Sequence, residues 1–422
     1  MGAIKEASVH EIQIAFKQNK LNSRRLVEFY LTQIESLNPV LRSVIEVNPE
    51  ALFLADKPDR ERNAKSLLSQ SSLLHGIPIL LKDNIATEDK LNTTAGSYAL
   101  LGSVVAWDAG VVAKLRKAGA IVLWKASLTD WPSCDNPNVK SADPCGSSTG
   151  SAISVAANMV TLSLGTETAG AILCPSSYNL AVGIKPTIGL TSANLQDSIV
   201  GFDPSDAVAD GFRGKKLGIT SYPYFSFPNT SEISHAFELH FNTLCETFMQ
   251  RGATLVDSLN IPNFDAIINS MFNDKDIALR AEFKLSLKAY LKELLTSLVR
   301  SLADAIAFNK KFSDLGKNWR LDLFLKAEKT NGMGLQKLMK ENELDALVTP
   351  FSYDFPHVSG VLAIGGFPGI CVPAVYDHHG RPFGTCFGGL KGYEPKLIKI
   401  AYSLEQAMKI RKLPSFKPFN VT

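Results

Sequence analysis

Apolar residues recur with helical spacing over the first part of the chain. Ser8-Val9-His10-Glu11 has the form of a capping box, and the apolar residues that follow it up to Phe16 would share one helix face. Ser23 is a candidate cap for a second helix, whose periodic apolar positions stop at Asn38-Pro39. The pattern therefore predicts that residues 1–60 form N-terminal helices.

Residues 73–190, the predicted core, change to short and continuous apolar runs that alternate with helical patterns. Ile77–Lys82, Ile121–Trp124 and Thr161–Leu164 are typical of buried strands, whereas Ser151–Met159 is typical of a buried helix of small residues. This alternation favours an α/β fold in which parallel strands are covered by helices.

The rest of the sequence divides into a helical stretch and a return to strands. Residues 229–330 have helical periodicity, and residues 340–422 contain apolar runs at Ala346–Pro350, Val361–Ile364 and Ile370–Val372 before a final helix over Glu394–Arg411. We find no internal repeat and no linker. The sequence therefore predicts one large α/β domain over residues 1–422, with a mostly parallel, twisted mixed sheet covered by helices on both faces.

Composition and charge narrow the classes of function. Of the 422 residues, 45% are hydrophobic and 20% are charged, which is typical of a globular protein. A net charge of +3 without a basic cluster argues against a nucleic-acid or membrane-surface partner. Residues 144–166 are uncharged, but polar residues interrupt them, so we expect buried core and not a membrane span. Met1 leads directly into an amphipathic helix, which favours a cytoplasmic protein.

The cysteine and histidine positions do not indicate a metal site. The 6 cysteines, at positions 134, 145, 174, 245, 371 and 386, lack CxxC spacing and are too sparse for a disulfide framework. We therefore expect mostly free thiols in a reducing compartment. His378-His379 lies in a predicted turn, and we expect neither a metal nor a cofactor.

Three polar elements lie at the ends of the predicted core strands. Lys82 ends one strand, the loop over Gly146–Gly150 contains two serines, and a turn over Thr166–Ala171 follows another strand. Backbone N–H groups can converge on an oxyanion in such glycine-rich turns. Taken singly, each element has an ordinary interpretation as a flexible loop, a phosphate cradle that lacks the P-loop lysine, or a solvated lysine.

Together these elements resemble the amidase signature family, in particular its plant-type members. The stretches that carry the resemblance are Gly76–Asn84, Cys145–Ser151, Gly165–Pro175, Val182–Thr187 and Ile364–Pro368. Cys145 and Thr149 replace glycines of the family's GGSSGG element. The resemblance implies the amidase signature fold and hydrolysis of carboxamide C–N bonds by a serine, a cis-serine and a lysine. It also implies a small-molecule amide as ligand or substrate, and a homodimer is a candidate assembly.

The resemblance also implies a role for each residue of the site. Lys82 would be the general base, and Ser147, preceded by a cis peptide bond, would relay the proton. The remaining members are the oxyanion donors, namely the N–H groups of Thr168, Ala169, Gly170 and residue 171, and two supporting residues, Ser148 and Glu167.

The chain departs from the family at the position of its nucleophile. Ala171 stands where the family has its catalytic serine, and a methyl group cannot attack a carbonyl carbon. Ala169 replaces a glycine or aspartate, which would add strain if the turn requires a positive φ there. The chain is also shorter than its relatives around Trp131–Asn136, after Leu190 and around Asp206–Phe212.

Three hypotheses follow from these departures. The first is a catalytically impaired protein or pseudoenzyme that binds an amide or a partner without turnover. The second is an active amidase with a replacement nucleophile, for which Ser147, Ser148 and Cys174 are the candidates. The third is a non-functional remnant that folds poorly, because the missing segments would expose apolar surface.

Overall fold

The structure, a computed structural model, describes residues 4–65, 72–128, 143–190, 211–220, 232–262, 275–312, 333–351, 357–376, 380, 382–412 and 414. The helices in these ranges are α1 (Val9–Lys17), α2 (Ser23–Leu41), α3 (Ala51–Asn63), α4 (Gly110–Lys117), α5 (Thr149–Ala156), α6 (Leu173–Tyr178), α7 (Glu232–Gln250), α8 (Lys275–Glu293), α9 (Leu302–Lys311), α10 (Met333–Glu341), α11 (His357–Gly365) and α12 (Glu394–Met408). The strands are β1 (Val44–Val47), β2 (Pro78–Lys82), β3 (Ile121–Ala126), β4 (Leu162–Leu164), β5 (Gly183–Lys185), β6 (Lys216–Thr220), β7 (Thr254–Leu259), β8 (Ala346–Phe351), β9 (Gly369–Tyr376) and β10 (Pro382–Gly388).

Contacts between residues divide the chain into two compact units. The first unit comprises Met1–Cys134, Ser148–Thr166 and Lys275–Glu328, and the second comprises Asp135–Ser147, Glu167–Asp274 and Lys329–Thr422. The predicted single domain over residues 1–422 stays a prediction.

The first unit contains a four-stranded sheet in the order β1-β3-β2-β4. Strand β2 is parallel to both β3 and β4, and β1 is antiparallel to β3. Every residue of β2 and β3 is buried, which explains why both strands are continuous apolar runs and not alternating ones. Leu26 and Tyr30 of α2 and Trp124 of β3 are fully buried in one apolar core.

The second unit contains a six-stranded sheet in the order β5-β9-β10-β8-β6-β7. The pairs from β5 through β9 and β10 to β8 are antiparallel, and β6 is parallel to both β8 and β7. Helix α12 buries its apolar face in the core that contains Phe212, Phe248 and Phe387. Both units therefore have the predicted α/β class with flanking helices. The described strands form two mixed sheets, however, and the predicted mostly parallel arrangement is wrong for the second unit, where three of the five strand pairs are antiparallel.

The capping and periodicity patterns predict the first two helices correctly, but the prediction is wrong at both ends of α2. The capping box is confirmed, because Ser8 Oγ accepts from the Glu11 N–H and Glu11 Oε2 accepts from the Ser8 N–H. The cap of α2 is Asn22 and not Ser23, since Asn22 Oδ1 accepts the Arg25 N–H at 2.8 Å. The helix also continues through Pro39 and ends at Leu41, and the capping residue Arg42 has a φ of +51°.

The predicted strand over Val361–Ile364 is wrong, because these residues belong to α11. Short apolar runs do not distinguish a buried strand from a buried helix, and Val361 and Leu362 are both buried in the core of the second unit. The adjacent Gly366, with a φ of +66°, follows the end of this helix.

Candidate active site

The first unit brings the predicted base, Lys82, together with one of the two serines. Strands β2 and β4 are parallel and pair Leu81 with Leu164, so their carboxyl ends lie at the same edge of the sheet. The Lys82 side chain, 1% exposed, donates from Nζ to Ser148 Oγ at 3.1 Å and to the Thr166 carbonyl at 3.4 Å. A buried amino group requires such acceptors, and these come from residues just beyond the two strands.

The hydroxyl of Ser148 is fully used in these contacts. Its Oγ donates to the Thr166 carbonyl at 3.0 Å and accepts from the Thr166 N–H at 3.1 Å and from Lys82 Nζ. A serine hydroxyl offers one hydrogen and two acceptor lone pairs, so no hydrogen-bonding capacity is left over. Ser148 therefore connects Lys82 with the end of β4 and the start of α5, and it supports the lysine side chain.

Helix α5 starts directly after Ser148 and packs very closely on neighbouring backbone. A Cβ at Gly150 would lie 2.4 Å from the Ser43 carbonyl oxygen and 2.6 Å from the Ser127 nitrogen. Only glycine allows this approach, which accounts for one glycine of the Gly146–Gly150 loop. Ser151 Oγ then donates to the Leu164 carbonyl at 3.1 Å, which ties the helix to β4.

In the second unit, the peptide bond between Gly146 and Ser147 is cis, and Ser147 is half-buried. This is the bond that the family resemblance implies. Ser147 directly precedes Ser148 in the sequence. The preceding residue, Cys145, has a φ of +55°.

The carboxylate of Glu167 shapes the turn that contains Ala171. Its Oε1 accepts the Gly170 N–H at 2.7 Å, and its Oε2 accepts the N–H groups of Ile172 at 2.7 Å and Leu173 at 2.9 Å. Charge-assisted hydrogen bonds to backbone N–H groups are among the stronger ones in proteins. Glu167 therefore holds both the turn and the first residue of α6.

Two expectations about this turn need correction. The Gly170 N–H was expected to be an oxyanion donor, but it donates to Glu167, because the carboxylate folds back onto the turn. The residue with a positive φ is Gly170, at +82°, and not Ala169, so alanine at position 169 adds no left-handed strain.

Three N–H groups of the turn are left for another acceptor. Within the part of the chain that the structure describes, the N–H groups of Thr168, Ala169 and Ala171 donate no hydrogen bond. Thr168 is exposed, and Ala169 and Ala171 are half-buried, so the turn is accessible. The Ala171 methyl group stands among these donors, and a carbonyl oxygen is the kind of group that they could bind.

The expectation of free thiols is wrong for one pair, because Cys145 and Cys174 form a disulfide with a Cα–Cα distance of 5.8 Å. Their separation of 29 residues carries no signal of pairing, since only the fold brings them within bonding distance. The disulfide removes Cys174 from the candidates for a replacement nucleophile, because a cysteine attacks only as a free thiolate. Cys245, Cys371 and Cys386 are free thiols.

Sequence reasoning missed a buried lysine close to this turn. Lys185 is 5% exposed and donates to the Pro186 carbonyl at 3.2 Å. Burial lowers the pKa of Lys185, and the negative charges of Glu167 and Glu394 oppose that shift. Glu394 also accepts the Thr187 N–H at 2.7 Å. The match of Val182–Thr187 to the family was the available signal, but it named no role for the lysine.

Sequence reasoning also missed a pair of buried charged residues in the first unit, Asp83 and Lys125. Asp83 has no exposed surface and accepts from the Thr94 hydroxyl and from the N–H groups of Thr94 and Gly96. Burial raises the pKa of Asp83, and the charge of Lys125 partly opposes the rise. Lys125, also fully buried, donates to the Ile85 carbonyl at 2.7 Å. These contacts fix the loop that leaves β2 directly after Lys82.

Other classes of site find little support in the described ranges. Within them, no group of three or more His, Cys, Asp or Glu side chains could hold a metal ion, and His378-His379 lies outside them. None of the helices described is long and apolar enough to cross a membrane.

The chain is similar to known amidases over nearly its whole length. The amidase family model matches residues 25–203. A probable amidase of Arabidopsis thaliana is 45% identical, over 98% of this chain and 92% of that protein. The solved peptide amidase of Stenotrophomonas maltophilia is 30% identical with a TM-score of 0.86, over 98% of this chain and 99% of that one. An amidase family protein of Bacillus anthracis is 28% identical with a TM-score of 0.81, over 97% and 92%.

The alignment with the Arabidopsis protein also bears on the length of the chain. It spans 491 positions, more than the 422 residues present here, so that relative has segments with no counterpart in this sequence. Apart from Leu190, Gly211 and Phe212, the predicted sites of contraction lie outside the described residues. Identity and fold similarity extend across the sequence despite these gaps, and the chain belongs to the amidase signature family.

Proposed function

We propose that this protein binds carboxamides in an amidase-type site and is impaired in hydrolysing them. The observation that carries the proposal is Ala171, a methyl group in a turn where the N–H groups of Thr168, Ala169 and Ala171 donate no hydrogen bond within the described ranges. Glu167 holds the turn in place. The backbone N–H groups that would bind the carbonyl oxygen are therefore present, whereas the hydroxyl group that would attack the carbonyl carbon is absent.

Each remaining group has a proposed part in recognising or activating an amide. The N–H groups of Thr168, Ala169 and Ala171 would donate to the carbonyl oxygen. Lys82 would accept a proton and Ser147 would relay it, with Ser148 keeping the lysine in place. With alanine at position 171, no hydroxyl is present for this pair to deprotonate, so binding would not proceed to an acyl-enzyme.

The ligand class follows from the same chemistry. An oxyanion turn recognises a polarised carbonyl group, and the family's reaction concerns carboxamide C–N bonds. Because a relative at 30% identity is a peptide amidase, amidated peptides are the first ligands to test, alongside small aliphatic and aromatic amides. No cofactor enters this chemistry.

The test compares hydrolysis of this amide panel by the unmodified chain and by the Ala171→Ser, Ala169→Gly double variant. We expect no turnover above background in the first and a gain of up to about 10⁶-fold in the second, the factor lost when a serine hydrolase loses its nucleophile. Adding Lys82→Met to the double variant should abolish the gain. Turnover by the unmodified chain would refute impairment, and a silent double variant would show that the site is incomplete.

A serine-reactive fluorophosphonate probe distinguishes impairment from a replacement nucleophile. Ser148 has no spare hydrogen-bonding capacity and Cys174 is oxidised, which leaves Ser147 as the candidate. We expect no labelling of the unmodified chain and labelling of the Ala171→Ser variant at the introduced hydroxyl. Stoichiometric labelling of Ser147 in the unmodified chain would replace the proposal with an active amidase.

A further inference from the structure

The disulfide between Cys145 and Cys174 brackets the candidate site in the second unit. Cys145 precedes Ser147 by two residues, and Cys174 follows Ala171 by three. One covalent bond therefore joins the segment that carries Ser147 to the first turn of α6, the helix that the Glu167 turn leads into.

The backbone at Cys145 has a left-handed conformation. Its φ of +55° lies in the left-handed region, where a Cβ is disfavoured and glycine is not. The family's GGSSGG element has glycine at this position. Cysteine is thus present where glycine would be less strained, and its side chain forms the disulfide.

The disulfide acts with a second anchor on the same helix. Asn179, the residue that caps the end of α6, donates from Nδ2 to the Pro144 carbonyl at 2.8 Å and to the Pro175 carbonyl at 2.7 Å. The polar anchor holds Pro144 at one end of α6, and the disulfide holds Cys145 at the other. Breaking the disulfide would leave Ser147 on a segment held only by noncovalent contacts.

We propose that the Cys145–Cys174 disulfide is a redox-controlled latch that fixes the Ser147 segment on α6 and releases it when a dithiol reduces the bond. The inference rests on the proposed function, because it takes Ser147 and the Glu167 turn as the ligand site. Release would loosen both and weaken amide binding.

The reduction needs an external dithiol and is balanced as a thiol–disulfide exchange. One thiolate of the dithiol attacks a protein sulfur, which forms a mixed disulfide and frees the other cysteine. The second thiol of the reagent then closes its own disulfide and frees the first cysteine. The dithiol is oxidised by two electrons, and Cys145 and Cys174 take up those electrons and two protons.

The neighbouring thiols are poor substitutes for the external reagent. Cys371 and Cys386 lie opposite each other on β9 and β10, and both belong to the same apolar core as the disulfide. Burial raises the pKa of Cys386 well above its usual value, which keeps it in the unreactive thiol form. Cys386 is therefore a poor partner for exchange with the disulfide.

The test is hydrogen–deuterium exchange of the full chain, before and after treatment with dithiothreitol, with the disulfide mapped by peptide mass spectrometry. We expect reduction to speed exchange of amides in residues 144–148 and 168–174 by about tenfold or more. Amides of β3, in the first unit, should not change. The Cys145→Gly, Cys174→Ala variant should exchange like the reduced protein and ignore the reductant, whereas Cys245→Ser should respond normally.

Two results would overturn the latch. One is free thiols at both positions after incubation with oxidised glutathione, and the other is unchanged exchange in the two segments after proven reduction. Neither readout involves amide binding or hydrolysis. A failed amide panel would therefore count against the proposed function and leave the latch result standing, and the reverse holds as well.

Discussion

At the scale of single residues, Lys125 is a buried cation whose charge is costly. Its ammonium group donates to the Ile85 carbonyl at 2.7 Å and to the Thr93 hydroxyl at 3.0 Å. Burial lowers the pKa of Lys125 from 10.5 to about 8, although the charge of Asp83 opposes the shift. Between these two pH values the unfolded chain binds more protons than the folded one. The contribution of Lys125 to the free energy of unfolding should therefore increase as pH rises from 8 to 10.5, so the folded protein becomes more stable.

Lys125→Met should remove this gain. Relative to the variant, the unmodified chain should become more stable by roughly 3 kcal/mol between pH 8 and 10.5, since each pKa unit corresponds to about 1.4 kcal/mol. Urea unfolding at both pH values measures the difference. Lys117→Met, which removes an exposed charge from α4, should run parallel to the unmodified chain. A stability difference for Lys125→Met that does not change with pH would contradict the assignment.

At the scale of elements, the turn before α6 depends on one carboxylate that holds three backbone N–H groups. Glu167→Gln keeps the length of the side chain but exchanges one acceptor oxygen for a donor. At least one N–H should then lose its partner, and the protein should lose about 2–3 kcal/mol of stability. Thermal unfolding measures the loss, and exchange at Ile172 and Leu173 should quicken.

The matched control is Glu341→Gln, near the end of α10. Glu341 pairs with Lys337 at 3.8 Å, with both side chains more than 60% exposed, so its change should stay within about 0.5 kcal/mol. Equal effects of the two substitutions would mean that Glu167 does not hold the turn.

The same elements show what the sequence could predict and what it could not. The capping box of α1 and the strand that ends at Lys82 depend on near neighbours, so their patterns sufficed. The run over Val361–Ile364 was ambiguous because its apolar residues suit a buried helix equally well. The Cys145–Cys174 bond depends on the fold, which brings two distant residues together. The hydrogen bond from the Gly170 N–H to Glu167 depends on the conformation of the glutamate side chain. Residue spacing reveals neither.

At the scale of the whole molecule, the question is whether a shortened amidase chain still folds well. The alignment with the Arabidopsis protein is longer than the chain, so relatives have segments that are missing here. Yet both units retain well-filled apolar cores. Tyr30 and Trp124 are fully buried in the first, and Phe212, Phe248 and Phe387 are fully buried in the second. The losses have therefore not emptied either core, which favours a folded protein over a remnant.

A folded chain should unfold cooperatively in urea, with a free energy of unfolding in the usual range of about 5–15 kcal/mol. Circular dichroism follows the helices and strands, and tryptophan fluorescence follows the exposure of Trp124 from the core of the first unit. Because apolar burial drives the transition, the folded protein should bind little of the dye ANS without denaturant. A gradual loss of signal together with strong dye binding in buffer would identify a remnant. One or two sharp transitions with weak dye binding would identify a protein that keeps its cores.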